Sequence, residues 1–351
     1  MNGVIRPAAS LTVRELGPDD KARWDAFVEE RPEASFFHRA GWKTVLEKGL
    51  GHRAPFLMAE RGGVVEGVLP LGHVRSLLFG RSLVSTPFCV YGGACAETAA
   101  ARAALEEEAR RRAREQGVDF LELRHRQSRH ADWPAKRDLY ATFRKEIDPD
   151  PQANYDRIRR KQRAEIRKGI ANGLYTEVDP DVERFFPVFA ESQRNLGTPV
   201  FPKRYFRTLK EVFGEDCEVQ CILHEGRAVS AVVSFYFRDE VLPYHGGGIA
   251  AARDLRAGDF MYWELMRRSA ERGVGVFDFG RSKVDTGAYH FKRHWGFEPE
   301  ALHYEYHLVR AREVPDLSPA NPKYRAFIAG WKRLPLGVSR VVGPWLARSL
   351  G

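Results

Sequence analysis

The stretch most suggestive of chemistry runs from Val276 to Phe297. It opens with alternating apolar and polar residues, which predict a short strand, and Gly280 then allows the backbone to turn. Cationic or potentially cationic side chains follow, interleaved with aromatic ones, at Arg281, Lys283, His290, Lys292, Arg293 and His294. Ligands of α/β proteins bind beyond the carboxyl ends of strands. The pattern therefore predicts an anion-binding or oxyanion-stabilising site, and a basic surface loop held by aromatic residues is the open alternative.

These residue types suit a site that positions an anionic substrate and stabilises a developing oxyanion. We expect Lys292 to lie near the oxyanion or a substrate phosphate. Arg281, Ser282 and Lys283 would bind anionic groups, and Tyr289 would orient the acceptor or relay a proton. Asp278 is open between a general base and a capped strand-end carboxylate.

Other chemistries find less support in the sequence. No cysteine lies within the basic stretch, so no covalent acyl-enzyme is indicated. His290 and His294 are four residues apart and could share a helix face, but no third ligand has a suitable spacing, so no metal site is predicted. Neither the spacing of a dinucleotide-binding loop nor that of a P-loop occurs.

Composition points to a globular protein with an anionic partner. The chain has 351 residues, 43% of them hydrophobic and 29% charged, and a formal net charge of +9. The length predicts two domains. The charge favours a phosphorylated substrate, a nucleic acid or an anionic membrane surface. The four cysteines lie in apolar, strand-like stretches without close pairing, which predicts reduced thiols in a cytoplasmic protein, and no transmembrane helix or signal peptide is expected.

The elements that would position the site occur twice along the chain. Each half contains a predicted hairpin, a strand that ends at a glycine pair, a helix and an acidic-aromatic strand. In the first half the hairpin ends with a strand over Val64 to Val74, the strand before the glycine pair covers Phe88 to Tyr91, and one more strand is predicted over Leu139 to Ile147. We therefore expect two similar α/β domains, over residues 1–150 and 151–308, with the tail 309–351 returning to the first. The second domain, which alone keeps the basic-aromatic stretch, is expected to carry the active site.

Two helices of unusual composition lie outside that stretch. A basic helix is predicted over Asn154 to Ile170, where Lys161, Arg163 and Arg167 would bind phosphate or pyrophosphate rather than only solvate the helix. The amphipathic stretch from Trp331 to Leu350 either contacts a membrane surface or packs back onto the first domain.

The order of these elements resembles the GNAT acyltransferase fold, a mixed, mainly antiparallel sheet flanked by helices. The tandem arrangement with a basic helix is similar to the Fem family of peptidoglycan-bridge aminoacyltransferases. The sequences FDFGRSK and YHFKRHWGF look still more like FemAB-related proteins associated with exosortase/PEP-CTERM exopolysaccharide loci. The stretches Asn195 to Phe201, Pro243 to Gly248 and Phe260 to Trp263, and the tail Asn321 to Tyr324, share this resemblance.

The resemblance implies roles for individual residues. Lys292 matches a lysine implicated in catalysis by the Fem transferases, and Lys161 and Arg163 match the shared basic helix. Asn195, Tyr244 and His245 fall in matching stretches and would bind substrate. Arg256 and Gly258 lie where a GNAT enzyme holds the pyrophosphate of acyl-CoA at a helix N-terminus.

The implied activity is transfer of an acyl or aminoacyl group from acyl-CoA or aminoacyl-tRNA to an amino group of a cell-envelope or exopolysaccharide precursor. No tightly bound cofactor is expected, nor any DNA partner. The acceptor would be a saccharide or lipid-linked precursor, met in the cytoplasm or at the inner face of the membrane. The alternative is a non-catalytic protein that binds such a precursor on a degenerate transferase scaffold.

Overall fold

The computed structural model describes residues 9–76, 80–314 and 322–349. Its strands, in chain order, are β1 Leu11–Glu15, β2 Leu57–Arg61, β3 Val64–Leu69, β4 Leu71–Ser76, β5 Gly80–Ser85, β6 Cys95–Ala96, β7 Phe120–His125, β8 Ala135–Lys136, β9 Tyr140–Thr142, β10 Arg144–Glu146, β11 Tyr175–Asp179, β12 Cys217–His224, β13 Arg227–Phe237, β14 Glu240–Gly248, β15 Val276–Asp278, β16 Ser282–Lys283, β17 Glu300–Ala301 and β18 His303–Leu308. Its α-helices are α1 Lys21–Glu30, α2 Gly41–Thr44, α3 Ala99–Glu115, α4 Pro151–Arg157, α5 Arg160–Ala171, α6 Phe185–Leu196, α7 Lys203–Phe213, α8 Ala257–Glu271, α9 Gly287–His294, α10 Pro322–Trp331 and α11 Leu336–Ala347. Short 3-10 turns cover Pro18–Asp20, Phe36–His38, Gly214–Asp216 and Ala250–Ala252, and a π-helical turn covers Val45–Leu50.

The chain divides into two compact units. Unit 1 contains residues up to 47, 51–134 and 304–314. Unit 2 contains residues 48–50, 135–303 and the described tail, 322–349.

Unit 1 is built on short antiparallel strands and one long helix. Strand β2 pairs antiparallel with β1 and β3, while β5 pairs antiparallel with β4 and parallel with β7. Helix α3 connects the two sheets' strands, and Ala101, Leu105, Ala109 and Ala113 on it are fully buried. Because these residues recur every four positions, they form the apolar face that packs on the core.

Unit 2 is built on a six-stranded sheet in the order β10-β15-β14-β13-β12-β11. All neighbouring pairs are antiparallel except β14 and β15, which run parallel because α8 connects them. The apolar face of α8, including Phe260, Met261 and Leu265, is buried in the core of this unit. Helix α5 packs against α8, and a Cβ at Gly169 of α5 would lie 3.0 Å from the Phe260 Cβ.

Both units therefore contain two parallel strands joined by a helix, β5-α3-β7 in one and β14-α8-β15 in the other. The predicted fold class is confirmed: two mixed, mainly antiparallel α/β units, with helices flanking the sheets.

Three predicted elements are wrong in detail. Phe88 to Tyr91 is not a strand, because Thr86 and Phe88 have the left-handed φ values of 44° and 68° on either side of Pro87. The strand predicted to continue from Val64 to Val74 is divided at Pro70, which has no N–H to donate to a ladder. The segment Leu139 to Ile147 likewise forms two strands, β9 and β10.

The predicted basic helix is also interrupted. Ile158 and Arg159 adopt extended backbone with ψ of 136° and 142°, so α4 ends before them and α5 begins after them. Ile158 is buried in the core of unit 2, and burying this side chain favours the break over a continuous helix.

The predicted domain boundaries differ from the two units. The break falls after residue 134 instead of 150, and residues 304–314 belong to unit 1, where β18 lies beside β7. Within that unit the Tyr304 hydroxyl donates to the Val90 carbonyl at 2.7 Å.

The described tail does not join the first unit as predicted. Helix α11 packs on α6 of unit 2. It also approaches the loop after α6, where a Cβ at Gly343 would lie 3.1 Å from the Val200 nitrogen. The part of the resembling tail that falls on Asn321 lies outside the described residues.

All four cysteines are buried, and no disulfide joins them in the described part of the chain. No helix among the described residues is long and apolar enough to cross a membrane.

Candidate active site

The central sheet of unit 2 opens between its two parallel strands. Strands β14 and β15 pair only at Glu240 with Val276 and at Val241 with Phe277. Beyond this point β14 continues to Gly248, paired with β13 alone among the described strands. The backbone edge of β14 that faces β15 is therefore available over its C-terminal half.

A β-bulge lies within that half of β14. Val233 pairs with His245 and Ser234 with Pro243, which leaves Tyr244 as an extra residue on β14. A bulge bends its strand and redirects the adjacent side chains and backbone groups, and bulges are frequent next to active sites.

A cavity of about 820 Å³ lies against the end of β14. Its walls come from the end of α6, the glycines of β14, the loop 249–256 and the first turns of α8. They include Ser192, Asn195, Leu196, Gly246, Gly247, Gly248, Arg253, Asp254, Arg256, Gly258, Asp259 and Tyr262.

The N-terminus of α8 gives one end of this cavity a positive potential. The first N–H groups of a helix have no partner within it, and the helix dipole adds about half a positive charge there. Arg256 precedes this turn in a left-handed conformation, with φ of 62°, and its guanidinium lies 2.9 Å from the Glu165 carboxylate. Backbone N–H groups and a neighbouring arginine form a site for an anionic group such as a phosphate.

The glycines of β14 bring the backbone close to neighbouring elements. A Cβ at Gly247 would lie 2.4 Å from the Ser192 Oγ, and one at Gly248 would lie 2.6 Å from the Ala252 Cβ. Neither position has room for a side chain. At Gly258, by contrast, a Cβ would meet no protein atom within 4 Å.

Two further side chains of the same cavity have displaced pKa values. Burial raises the pKa of Asp259 to about 6, with Glu165 adding to the rise, although the Trp295 indole N–H donates to its Oδ1 at 3.1 Å. Burial, assisted by Asp259, raises the pKa of Tyr262 to about 12. Asp259 is thus a carboxyl group that can hold or release a proton near neutral pH.

A second cavity, of about 270 Å³, shares Gly246 with the first. It is lined by Phe189, Gln193, Thr198, Pro199, Phe201, Tyr244, His245 and Ala347, so its wall contains no acidic or basic side chain other than His245. Burial lowers the pKa of His245 to about 3, which keeps the imidazole neutral, and the Tyr205 hydroxyl lies 3.2 Å from its Nε2. The smaller cavity therefore has an uncharged, largely aromatic wall.

Lys292 lies on α9, a helix that contributes no residue to the wall of the larger cavity. The ammonium donates to the Gly280 and Arg281 carbonyls at 2.9 and 3.1 Å, and its Nζ is 5.4 Å from the centre of the Phe143 ring. Burial lowers the pKa of Lys292 to about 7, although the nearby Asp278 carboxylate partly opposes this. A lysine with such a pKa exchanges its proton at neutral pH.

Aromatic residues on α9 and directly after it contact two residues that line the larger cavity, Tyr262 and Asp259. Phe291 lies 5.6 Å from the Tyr262 ring, centre to centre, and Trp295 donates to Asp259. Tyr289 is half-buried and packs edge-on against Phe143, at 5.3 Å. Thr286 caps the helix by accepting the Tyr289 N–H at 3.4 Å.

Asp278 is fully buried at the end of β15. Its Oδ1 accepts the Gly280 N–H at 2.6 Å and the Thr142 hydroxyl at 3.4 Å, and its Oδ2 lies 3.6 Å from the Arg144 guanidinium. These are the contacts of a carboxylate that stabilises the turn after a strand, which was one of the two interpretations open from the sequence.

The remaining predicted site residues lie outside both cavities. Arg281 lies over the Tyr140 ring at 4.6 Å, and Ser282 and Lys283 form β16 against β9. The Ser282 Oγ is buried without a hydrogen-bond partner. On α5, Lys161 and Arg167 are exposed, and Arg163 forms an ion pair with Asp156 at 3.2 Å.

Of the predicted residues, Asn195, Arg256 and Gly258 line the larger cavity, and Tyr244 and His245 line the smaller one. Sequence reasoning missed Ser192, Asp259 and Tyr262. The only local signal for Asp259 was its place directly after Gly258, in the first turn of a predicted helix.

Comparison with known proteins agrees with this geometry. Residues 156–293 match the family model of the acetyltransferase (GNAT) domain. No curated protein matches the sequence. Among solved structures, FemX has a TM-score of 0.63 at 14% identity, covering 85% of this chain and 98% of its own. This chain has the fold of the tandem GNAT and Fem-type transferases.

Two other structures show the same tandem fold. A tandem GNAT protein from the clavulanic acid biosynthesis pathway has a TM-score of 0.54 at 15% identity, covering 85% of this chain and 98% of its own. The C-terminal domain of a putative lysylphosphatidylglycerol synthetase from Agrobacterium fabrum has a TM-score of 0.56 at 13% identity, covering 82% of this chain and 91% of its own.

Proposed function

We propose that this protein transfers an acyl group from an anionic, activated donor, acyl-CoA, to an amino group of an acceptor. The observation that carries the proposal is the opening between β14 and β15 beside a cavity that ends at the N-terminus of α8. In this arrangement the free edge of β14 hydrogen-bonds the extended part of the donor. The N–H groups of α8 and Arg256 bind the donor's pyrophosphate.

The transfer is direct. The acceptor amine attacks the donor carbonyl, and the oxyanion forms beside the backbone of the β14 bulge. The C–S bond then breaks, and the leaving thiolate takes up the proton that the amine loses. A cysteine nucleophile is not used: Cys217 is buried in the core, and burial raises the pKa of its thiol to about 12. Lys292 and Tyr289 are the proposed proton-transfer and positioning residues. Their helix lies next to the larger cavity's lining, because Phe291 contacts Tyr262 and Trp295, directly after the helix, donates to Asp259.

The smaller cavity is the proposed site of the acyl group. A space of about 270 Å³ is large enough for a small acyl group. Its uncharged wall would leave the α-ammonium of an aminoacyl group without a partner, at a considerable desolvation cost. This favours a small, uncharged acyl group on coenzyme A over an aminoacyl-tRNA.

The acceptor is proposed to be an amino group of a saccharide or lipid-linked precursor of the exopolysaccharide or cell envelope, modified in the cytoplasm. This step rests on the sequence resemblance and on the net charge of +9, which favours anionic precursors. Contact with the inner face of the membrane would occur through the exposed apolar face of α11, which includes Val341 and Trp345.

The test is calorimetric titration with coenzyme A and acetyl-CoA, followed by a thiol-release assay with amino sugars. We expect saturable binding of both ligands and acceptor-dependent thiol release. The Gly258→Ala variant should fold normally, since its methyl meets no protein atom, and should bind coenzyme A at least ten-fold more weakly.

Different outcomes separate the alternatives. Turnover with aminoacyl-tRNA but not with acetyl-CoA would overturn the proposed donor. Tight binding of a saccharide precursor, with no turnover of either donor, would favour the non-catalytic binding protein.

A further inference from the structure

Two histidines and two glutamates converge in unit 1, and none of them lines either cavity of unit 2. His125 is the last residue of β7, Glu305 lies on the neighbouring strand β18, and His130 follows in the loop after β7. One ligand atom from each of these three residues lies within 4.8 Å of the others. The fourth residue, Glu106, comes from α3.

The hydrogen bonds of Glu305 fix its carboxylate in the cluster. This side chain is fully buried. Its Oε1 accepts the Ser128 hydroxyl and the Arg129 N–H, at 3.0 and 2.8 Å. Its Oε2 is 2.8 Å from the His130 Nδ1 and 3.7 Å from the His125 Nε2, and it also accepts the His130 N–H at 3.2 Å.

His130 is oriented from its other side. Its Nε2 lies 3.0 Å from the Glu106 Oε2, and its ring stacks on Trp133 with centres 4.1 Å apart. A histidine that binds a metal commonly donates its second N–H to a carboxylate, which fixes the tautomer and the plane of the ring. With Nε2–H donating to Glu106, the His130 Nδ1 is the nitrogen that faces Glu305.

The environment of His125 also indicates a missing ligand. Its side chain is 5% exposed, and its Nε2 is buried with no hydrogen-bond partner. The Glu106 Oε1 in the same cluster also lacks one. Buried polar atoms without a hydrogen-bond partner are rare and destabilising, and they often mark the site of a missing ion or water.

We propose that His125 Nε2, His130 Nδ1 and Glu305 Oε2 bind a divalent transition-metal ion, with Zn²⁺ as the best fit. Two imidazoles and one carboxylate form a ligand set known for zinc, with Zn–N and Zn–O distances of about 2.0–2.2 Å. Tetrahedral ligands at that distance lie roughly 3.3 Å apart, between the observed separations of 2.8 and 3.7 Å. A water molecule would complete the coordination, while Glu106 orients His130.

The competing occupant of this cluster is a proton on His130, shared between the Glu106 and Glu305 carboxylates. A proton on His130 leaves the Nε2 atom of His125 without a hydrogen-bond partner. A metal ion would bind that Nε2 atom. His125 therefore decides between them.

The experiment uses the full chain without an affinity tag, dialysed against chelator and titrated with Zn²⁺ alone. We expect one equivalent to bind and to raise the melting temperature. The affinity should fall at least a hundred-fold in His125→Ala, and roughly ten- to a hundred-fold in Glu106→Gln, which loses only the orienting carboxylate. The control is the double variant His290→Ala/His294→Ala, which removes two exposed histidines of unit 2 and should bind Zn²⁺ like the wild type.

Co²⁺ provides a second readout, because tetrahedral coordination by nitrogen and oxygen gives a characteristic visible absorption spectrum. The proposal is overturned if His125→Ala binds Zn²⁺ as tightly as the wild type, if only the His290/His294 variant loses binding, or if the wild-type chain binds no ion. The folded state of each variant is checked by circular dichroism before titration.

Discussion

Lys292 is deeply buried, and its ammonium donates to two backbone carbonyls. Its pKa of about 7 means that it is partly neutral at physiological pH. Lys210 on α7 offers a useful contrast, since its ammonium also donates to two carbonyls, of Gly214 and Cys217, at 3.2 and 3.0 Å. Unlike Lys292, Lys210 is only half-buried.

We expect Lys292→Met to fold, to bind coenzyme A and to lose turnover by about a hundred- to a thousand-fold, the typical cost of removing one group that stabilises a transition state. The loss should appear in kcat more than in KM, because such an interaction strengthens during the reaction. Lys210→Met, measured in the same thiol-release assay, should retain turnover. Full activity of a folded Lys292→Met protein would make Lys292 a structural lysine.

Asp259 places a titratable charge where the donor's anion is proposed to bind. Because its pKa is raised to about 6, the group is largely neutral at pH 5 and ionised at pH 8. Asp259→Asn keeps the acceptor oxygen for Trp295 and removes the charge. We expect it to tighten coenzyme A binding at pH 8 by about 1 kcal/mol, roughly five-fold, and to leave it unchanged at pH 5.

The measurement is a titration of both proteins at the two pH values. Asp254→Asn, which alters an exposed carboxylate of the same cavity, is the control and should change affinity equally at both. A pH-independent effect of Asp259→Asn would mean that its charge does not reach the donor.

Strand β14 and helix α6 meet closely at Gly247 and Ser192, which both line the larger cavity. A methyl at Gly247 would clash with Ser192, at 2.4 Å from Oγ and 2.6 Å from Cβ, and would force the two elements apart. We expect Gly247→Ala to lower the unfolding free energy by about 1–3 kcal/mol and to weaken coenzyme A binding at least ten-fold.

The double variant Gly247→Ala/Ser192→Gly removes the clash and should recover most of both losses, as a double-mutant cycle would measure. Gly258→Ala should show no loss of stability, because that position is open. If the double variant is no better than the single one, the contact with Ser192 is not the cause.

Helix α5 lies outside both cavities, so its charges act on a ligand only through space. Replacing Lys161, Arg163 and Arg167 by Gln should weaken coenzyme A binding at low salt and flatten its salt dependence. The effect should fade above about 0.1 M, where the Debye length is near 10 Å. The matched control removes the same charge from Arg207, Arg227 and Arg238. Equal effects of the two triple variants would show that only net charge matters.

Helix α11 near the end of the chain has one buried face of small residues and one exposed apolar face. Its Ser339, Gly343 and Ala347 are buried, whereas Val338, Val341, Val342 and Trp345 are 45%, 78%, 39% and 54% exposed. A helix with an exposed apolar face and nearby Arg340 and Arg348 has the features of an interfacial helix.

We therefore expect Trp345 fluorescence to shift to shorter wavelength with vesicles containing anionic lipid, and not with neutral vesicles. Val341→Ser should weaken this binding several-fold. Val64→Ser, which alters a 65% exposed valine in unit 1, should leave it unchanged. No shift with either vesicle would remove the membrane contact from the proposal.

The sequence predicted those parts of the molecule that depend on local pattern. The hairpin of β12 and β13, helix α8 and strand β15 follow from periodicity and from glycines near their ends. The resemblance to GNAT enzymes is what points to Gly258, which lines the larger cavity. What the sequence missed depends on contacts between distant residues. Asp259 owes its displaced pKa to burial beside Trp295, 36 residues away, and His130 meets Glu305 across 175 residues.

The pairing of β14 with β15 over only two residue pairs also has a consequence for hydrogen exchange. Amides on the unpaired edge of β14, between Leu242 and Gly248, should exchange with solvent far faster than those that bond to β13, although both belong to one strand. A donor bound along that edge would act as a surrogate strand and slow the exchange of these amides alone. If the proposed donor binds there, the sheet of unit 2 would become continuous only in the donor complex.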